Sequence, residues 1–399
     1  MMMGTSTIEY DPYSYEIDVD PYPVYRRLRD EAPVYHNERL DFWALSRFED
    51  VERASRDFET YSSAKGTVLE LMGTVMTGEI IIFMDPPAQT RLRNLVSKAF
   101  TPRRISELEP EVRRIARAHI APLAEQGRGD LVKQFTAKLP MDVISALLGI
   151  PESDRDQVRE WSNVMLHREP GKPEPPPVAM DAHVNAWQYF AALVSERRTR
   201  PRDDMMSALI AAELRGEDGE LHRLDNEQIL TFALLLATAG NETVTKLLGA
   251  AAYWLWKHPD QRRILVDDPG VIPNAVEETL RFDPPSHYQG RVLTRDVELH
   301  GRTMPRDSKI ALITGATGRD ERVFPDPDRY DVRREIDHHL GFGHGWHICL
   351  GASLARLESR IALEEFLGAF PDYEVDEAGI ERVHSSNVRG FAGLPIART

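Results

Sequence analysis

"HHLGFGHGWHICLG", His338 to Gly351, holds four histidines, four glycines and the only cysteine of a 399-residue chain. A thiol in an ordinary core is inert and needs no glycines around it. Here Gly341, Gly343, Gly345 and Gly351 surround Cys349. Glycine permits positive φ and lets the backbone come close to a flat partner. Backbone N–H groups in such a turn can point at sulfur, and a helix predicted from near Leu350 adds the positive end of its dipole. These features favour a thiolate, which is the form that binds a metal. The residues alone leave one alternative open, a buried structural cysteine beside a helix-capping turn.

Working outward, Phe342 to Gly351 match F-G-x-G-x-H-x-C-x-G at every fixed position. This resembles the haem-ligand loop of the cytochrome P450 family, whose commonest version has arginine where His347 stands. The resemblance extends from "DPYPVYRRLRDEAPVYH" near the start to "VRGFAGLPI" near the end. It implies a mainly α fold with small β-sheets (α+β), in which haem lies between a long central helix and the cysteine-loop helix. It implies one domain over residues 1–399, with Cys349 as axial ligand of haem b iron and Phe342 packed near the haem on the sulfur side. The activity implied is a monooxygenase that inserts one oxygen atom of O2 into a lipophilic small molecule. Thiolate donation favours the O–O cleavage this needs.

The apolar run from Asp225 to Pro259 reads as that central helix, starting at an acidic cap and stopping at proline. In its middle stands "AGNET", Ala239 to Thr243. Glu242 and Thr243 need partners inside a buried helix. Thr243 can donate back to the Ala239 carbonyl, and Gly240 weakens the turn further, so a locally opened helix is expected here. The alternative is a structural one: Glu242 paired with a buried arginine, and Thr243 merely back-bonded. The segment resembles the family's A/G-G-x-D/E-T motif. By that resemblance Glu242 is the solvent-linked proton carrier, and Thr243 holds the bound oxygen and its water.

"EETLR" sets Glu278 and Arg281 three residues apart on one helical face. It resembles the family's E-x-x-R helix, and "FPDPDRY" resembles the following meander, so Arg329 is expected to complete a buried Glu–Arg–Arg cluster. Arg93, Arg291, His347 and Gln89 are the candidates for holding the haem propionates. Gln89 occupies a place where many relatives carry histidine, and it can donate but bears no charge. For the substrate, the family places a roof at Val68–Pro87 and a mobile lid at the proline-rich stretch near Pro175. Leu235 and Ala239 would line the pocket from the central helix, Ser286 or His287 from "PPSHYQG", and Phe391 from the C-terminal turn. An apolar pocket with few polar handles suits a terpenoid, a steroid, a fatty acyl chain or an aromatic compound.

Composition narrows the classes. A net charge of -15 argues against general nucleic-acid affinity. One cysteine excludes an intramolecular disulfide and a multi-thiolate zinc site, and fits a reducing cytoplasm. The acidic, aromatic start lacks the pattern of a signal peptide or membrane anchor. "ILTFALLLATAG" is too short to span a bilayer. Thr101 and Pro102 open one predicted helix that Gly127 closes, and strand-like runs cluster between Arg291 and Gly315. No flavin or iron–sulfur segment follows the haem region. Electrons are therefore expected from a separate ferredoxin and its reductase, docking near Arg103, Arg104 and Arg113. Two other readings compete: a peroxide-driven member of the family, which commonly lacks the acid–threonine pair, and a non-catalytic haem-containing binder or sensor.

Overall fold

The central helix runs from Asn226 to Lys257, as the sequence predicts. Its start is a capping box. Asp225 accepts from the Gln228 N–H at 2.8 Å, and the Gln228 side chain accepts from the Asp225 N–H at 3.0 Å. Beyond it Pro259 opens the next helix and has no N–H to donate back. The computed structural model describes residues 8–72, 79–166, 177–215 and 220–399. The proline-rich lid near Pro175 and residues 73–78 of the roof lie outside the described residues.

Two compact units are present, and neither is one stretch of sequence. The first comprises Met1–Met76, Glu277–Cys349 and Arg382–Gly390; the second comprises Thr77–Val276, Leu350–Glu381 and Phe391–Thr399. The first holds a five-stranded sheet in the order Val34–Asn37, Phe42–Leu45, Lys309–Leu312, Gln289–Leu293, Tyr61–Ser62. Only the pairing of Phe42–Leu45 with Lys309–Leu312 is parallel. Leu45, Leu293, Ile310 and Leu312 of this sheet pack with Phe48 of the helix Phe48–Arg56 into a core that also contains Leu340, next to the cysteine turn. The strand-like region past Arg291 also forms a hairpin, Val297–Leu299 with Arg302–Met304, turned at His300 and Gly301 with φ of 48° and 71°.

The second unit is the helical one. The helix Leu139–Leu148 packs on the central helix. A methyl group on Gly240 would meet Ile144 Cδ1 at 3.0 Å, so the glycine is there for this close approach. The locally opened turn expected at Ala239–Thr243 is absent, and the helix is continuous there. The helix predicted over Thr101–Gly127 is in fact two, Pro102–Glu107 and Glu109–Gln126. Pro110 explains the break: it lacks an N–H for Ser106, and its ring clashes with that carbonyl. Thr101 caps the first, accepting from the Arg104 N–H at 3.3 Å, and Gly127 closes the second with φ 66°. Among the described residues no helix is long and apolar enough to cross a membrane.

Candidate active site

The cysteine turn is built by short local bonds. The Cys349 N–H donates to the Phe342 carbonyl at 2.8 Å, and Gly343 N–H donates to Leu340 at 2.9 Å. Gly343 and Gly345 have φ of 71° and 66°, which side chains other than glycine rarely adopt. Gly345 has a second reason, because a Cβ there would lie 2.5 Å from the Ser55 carbonyl oxygen. Cys349 is exposed, as are Trp346 and Ile348 on the same turn. In chain order the helix Ala352–Ala369 follows, capped by Gly351. The buried structural cysteine is thus not what the fold contains.

The histidines of this stretch brace the turn. His338 reaches Glu52 at 3.0 Å, and His339 reaches Glu277 at 3.0 Å while accepting from the Gly341 N–H. His344 Nε2 accepts from Arg56 Nε at 2.6 Å, which needs the neutral ring. Burial, and after it the Arg56 charge, hold its pKa below the ordinary histidine value. Trp346 Nε1 donates to the Arg56 carbonyl at 3.1 Å. The turn is therefore pinned to the helix Phe48–Arg56 at several points. His347 lies in the single 3-10 turn Gly345–His347, half-buried.

Within the same unit lies the buried charge cluster. Arg281 grips Glu278 with two bonds, Nε to Oε2 at 2.6 Å and Nη2 to Oε1 at 2.8 Å, both side chains fully buried. The third member is Arg334 and not Arg329. Arg334 Nε lies 3.4 Å from Glu278, and its other nitrogens donate to the Pro325, Asp326 and Arg329 carbonyls. The Arg329 side chain is 65% exposed and faces Asp331. It joins the cluster only through its carbonyl, which accepts from Arg281 at 3.2 Å. The loop's path turns three carbonyls toward position 334, and those fix which arginine enters.

In the second unit, most of the central helix is buried, but Ala239 is exposed and Leu235, Glu242 and Thr243 are partly accessible. Leu235, Ala239 and Thr243 follow at intervals of four and so share one face. Thr243 Oγ1 donates to the Ala239 carbonyl at 3.3 Å, as expected. Glu242 pairs with a lysine and not with an arginine: Lys246 Nζ stands 3.4 Å from its Oε1. Gln89 and Arg93 share one face of the helix Ala88–Ser97, Gln89 buried and Arg93 half-buried. Arg291 is buried on its strand, with Nη1 donating to Gly290 at 2.6 Å. Phe342 is half-buried.

Two expected pocket residues belong to the core. His287 is buried, with Nδ1 2.9 Å from the Tyr25 hydroxyl and Nε2 3.9 Å from Asp283. Burial lowers its pKa to about 4, against the pull of the nearby Asp283 carboxylate and with the Arg389 charge. It is a neutral packing group. Phe391 is buried with its ring 5.1 Å from that of Tyr253 and against Gly249. Ser286 stays accessible, its Oγ accepting from Gln289 at 2.8 Å. The basic dock is also neutralised: Arg103 bonds Glu107, Arg104 lies 4.0 Å from Asp203, and Arg113 bonds Glu109, Glu364 and Glu365.

The donor set fits haem. Cys349 offers one exposed sulfur, and among the described residues no group of three or more His, Cys, Asp or Glu is placed to hold a metal ion. A lone thiolate suits a metal that arrives with its in-plane ligands. The family comparisons agree. The cytochrome P450 model matches residues 271–383. Cytochrome P450 123 of Mycobacterium tuberculosis is 46% identical over 99% of this chain and 98% of its own. The vitamin D(3) 25-hydroxylase of Pseudonocardia autotrophica is 37% identical over 98% and 97%. A solved cytochrome P450 of Chondromyces apiculatus matches with a TM-score of 0.90 at 33% identity, covering 98% of both chains.

Proposed function

From the premise that this chain belongs to the cytochrome P450 family and is a haem b monooxygenase, we propose that it hydroxylates a lipophilic small molecule in the cytoplasm. A ferredoxin and its reductase would supply two electrons. The observation that carries this reading is the exposed cysteine in its braced glycine turn; the acid–alcohol step on the accessible face of the central helix, present in the same chain, supports it.

Haem b, once bound, supplies the iron at which O2 is activated. Cys349 Sγ would ligate its iron, and Phe342 would pack beside the group. Arg93, Arg291, His347 and Gln89 are assigned to the propionates as cations or donors. Substrate plus O2, two electrons and two protons gives alcohol plus water, so two protons must come from solvent. Glu242, partly accessible, takes up a proton on its carboxylate. Thr243 Oγ1 keeps its hydrogen on the Ala239 carbonyl and offers its lone pairs to an ordered water that passes the proton on. Leu235, Ala239 and Ser286 would contact the substrate.

Reduced, CO-bound protein should show the red-shifted Soret band of thiolate ligation, and Cys349→Ala should lose it. A wild-type spectrum like that of a histidine-ligated haem protein overturns the ligand assignment. Thr243→Ala should keep haem but release more hydrogen peroxide per NAD(P)H, whereas Glu242→Gln should slow turnover itself. Unchanged coupling in Thr243→Ala would remove Thr243 from the mechanism, and complete absence of product from the wild type, across a broad ligand panel with working electron transfer, would favour a haem-containing binder.

A further inference from the structure

Lys246 is a charged residue inside the central helix with only 6% of its surface exposed. Lysine is rarely buried without a partner. Among the described residues it makes one ion pair, to Glu242 one helical turn earlier at 3.4 Å, and one hydrogen bond, to the Phe391 carbonyl at 3.2 Å. Its ammonium is anchored from the interior, while the Glu242 side chain is 37% exposed. The pair thus spans the boundary between packed core and accessible space.

A glutamate at such a boundary samples several rotamers and loses entropy when fixed in one. A partner that cannot itself move selects the rotamer. Lys246 qualifies, because the Phe391 backbone holds its end and the packed helix holds its stem. We propose that Lys246 is a positioning residue for proton delivery: its tethered ammonium holds the Glu242 carboxylate in one orientation, so that protons taken from solvent are handed on in order. The proposal rests on the reading of Glu242 as the proton carrier. It adds no redox step. One proton joins a Glu242 oxygen from solvent, leaves it for water at Thr243, and the carboxylate returns to Lys246.

The test uses haem-loaded protein with NAD(P)H, a ferredoxin and its reductase, and no added substrate. The readout is how consumed O2 divides between hydrogen peroxide and water. Lys246→Gln keeps a donor for the Phe391 carbonyl but removes the charge; Lys246→Arg keeps the charge. Lys246→Gln should retain haem and the wild-type CO spectrum, yet raise the peroxide share by about twofold or more. Lys246→Arg should restore the wild-type division. Lys246→Gln should also add nothing in a Glu242→Gln background. Urea unfolding of the two single variants and the double variant tests the contact apart from activity, since paired residues give non-additive midpoints. Additive midpoints, or a wild-type peroxide share in Lys246→Gln, overturn the proposal. If Glu242→Gln leaves turnover unchanged, the underlying reading of Glu242 fails instead, and the two failures are distinct.

Discussion

Glu278 is held by Arg281 and Arg334 with side chains 0%, 0% and 10% exposed, whereas Arg113 is held by Glu109, Glu364 and Glu365 with side chains 16–40% exposed. Arg360 extends the second cluster to Glu109 at 2.7 Å and Glu364 at 2.9 Å, so it contains more ion pairs than the first. Counting pairs would rank it higher. Desolvation reverses the ranking. In water, charges separated from their partners are resolvated at little cost, and exposed pairs are worth about 0–1 kcal/mol. In the interior a charge that loses its partner stays unsolvated, and breaking one buried pair typically costs about 3–5 kcal/mol. The Arg113 network joins the helices Glu109–Gln126 and Ala352–Ala369, and the loss of any one member leaves others to compensate.

The hardest way to break this contrast is Glu278→Ala. It leaves Arg281 and Arg334 facing each other without their shared acid, and it frees the Asp331 N–H that donates to Glu278 at 2.8 Å. The expected loss is about 3–5 kcal/mol, seen as little soluble haem-loaded protein. Near-normal yield with an unchanged unfolding midpoint would show that burial does not set the weight of this cluster.

A sharper test compares two arginines five residues apart. Arg334→Ala removes a side chain that satisfies Glu278 and three carbonyls, and should cost about 3 kcal/mol. Arg329→Ala removes an exposed side chain and should stay within about 0.5 kcal/mol. Equal urea midpoints for the two variants would restore Arg329 to the cluster.

This pair also shows what a sequence can carry. The cysteine turn was legible because its requirements are local. Positive φ at Gly343 and Gly345 and the closing bond from Cys349 to Phe342 lie between Phe342 and Cys349, and the following helix begins at Ala352. The central helix is legible from its acidic cap, its apolar run and Pro259. Arg334 was not, because its selection depends on how the loop from Pro325 folds its carbonyls inward. Neither was the core burial of His287 and Phe391, since a motif places a residue in the chain but does not choose the direction of its ring. The Glu242–Lys246 pair was within reach: its i,i+4 spacing is a readable signal on a helix. The partner is a lysine one turn on and not a buried arginine, because that lysine shares the helical face of Glu242.

A third comparison uses pH. His287 sits in the buried polar knot around Asp283, which accepts from Tyr22 at 2.6 Å and from Arg389 at 2.9 Å. Burial alone would raise the Asp283 pKa, but the Arg389 charge, the neighbouring His287 and the bond from Tyr22 outweigh it and hold the pKa well below the ordinary value. His287 has a folded pKa of about 4, below the roughly 6.5 of an unfolded chain. As pH falls through 6.5, the unfolded chain takes up the proton first. Stability that is complete above pH 6.5 is therefore lost on the way down to 4, by about 2 kcal/mol at pH 5. Wild-type unfolding midpoints should fall more steeply from pH 7 to pH 5 than those of His287→Gln. Parallel slopes would mean that His287 is solvated, which would return it to the list of pocket residues.

The smallest effect expected is that of Glu365→Gln. Glu365 accepts from Arg113 Nη1 at 2.8 Å and from Arg117 Nε at 3.0 Å. Burial would raise its pKa, but the bonds from Arg117 and Arg113 outweigh that and leave it lowered. Arg113 bonds one carboxylate oxygen and Arg117 the other, so the single oxygen of glutamine keeps one of these bonds and turns an NH2 toward the other arginine. Arg113 still has Glu109 and Glu364, and Arg117 is exposed enough to be solvated. The midpoint should therefore move by less than about 1 kcal/mol. Salt gives the discriminating readout. Exposed charges are screened over about 10 Å at 0.1 M ionic strength, so the small difference between wild type and Glu365→Gln should shrink further by 0.5 M sodium chloride. A loss of 3 kcal/mol or more that persists in high salt would place this network with the buried cluster. The contrast between desolvated and solvated charge would then fail from its weaker side.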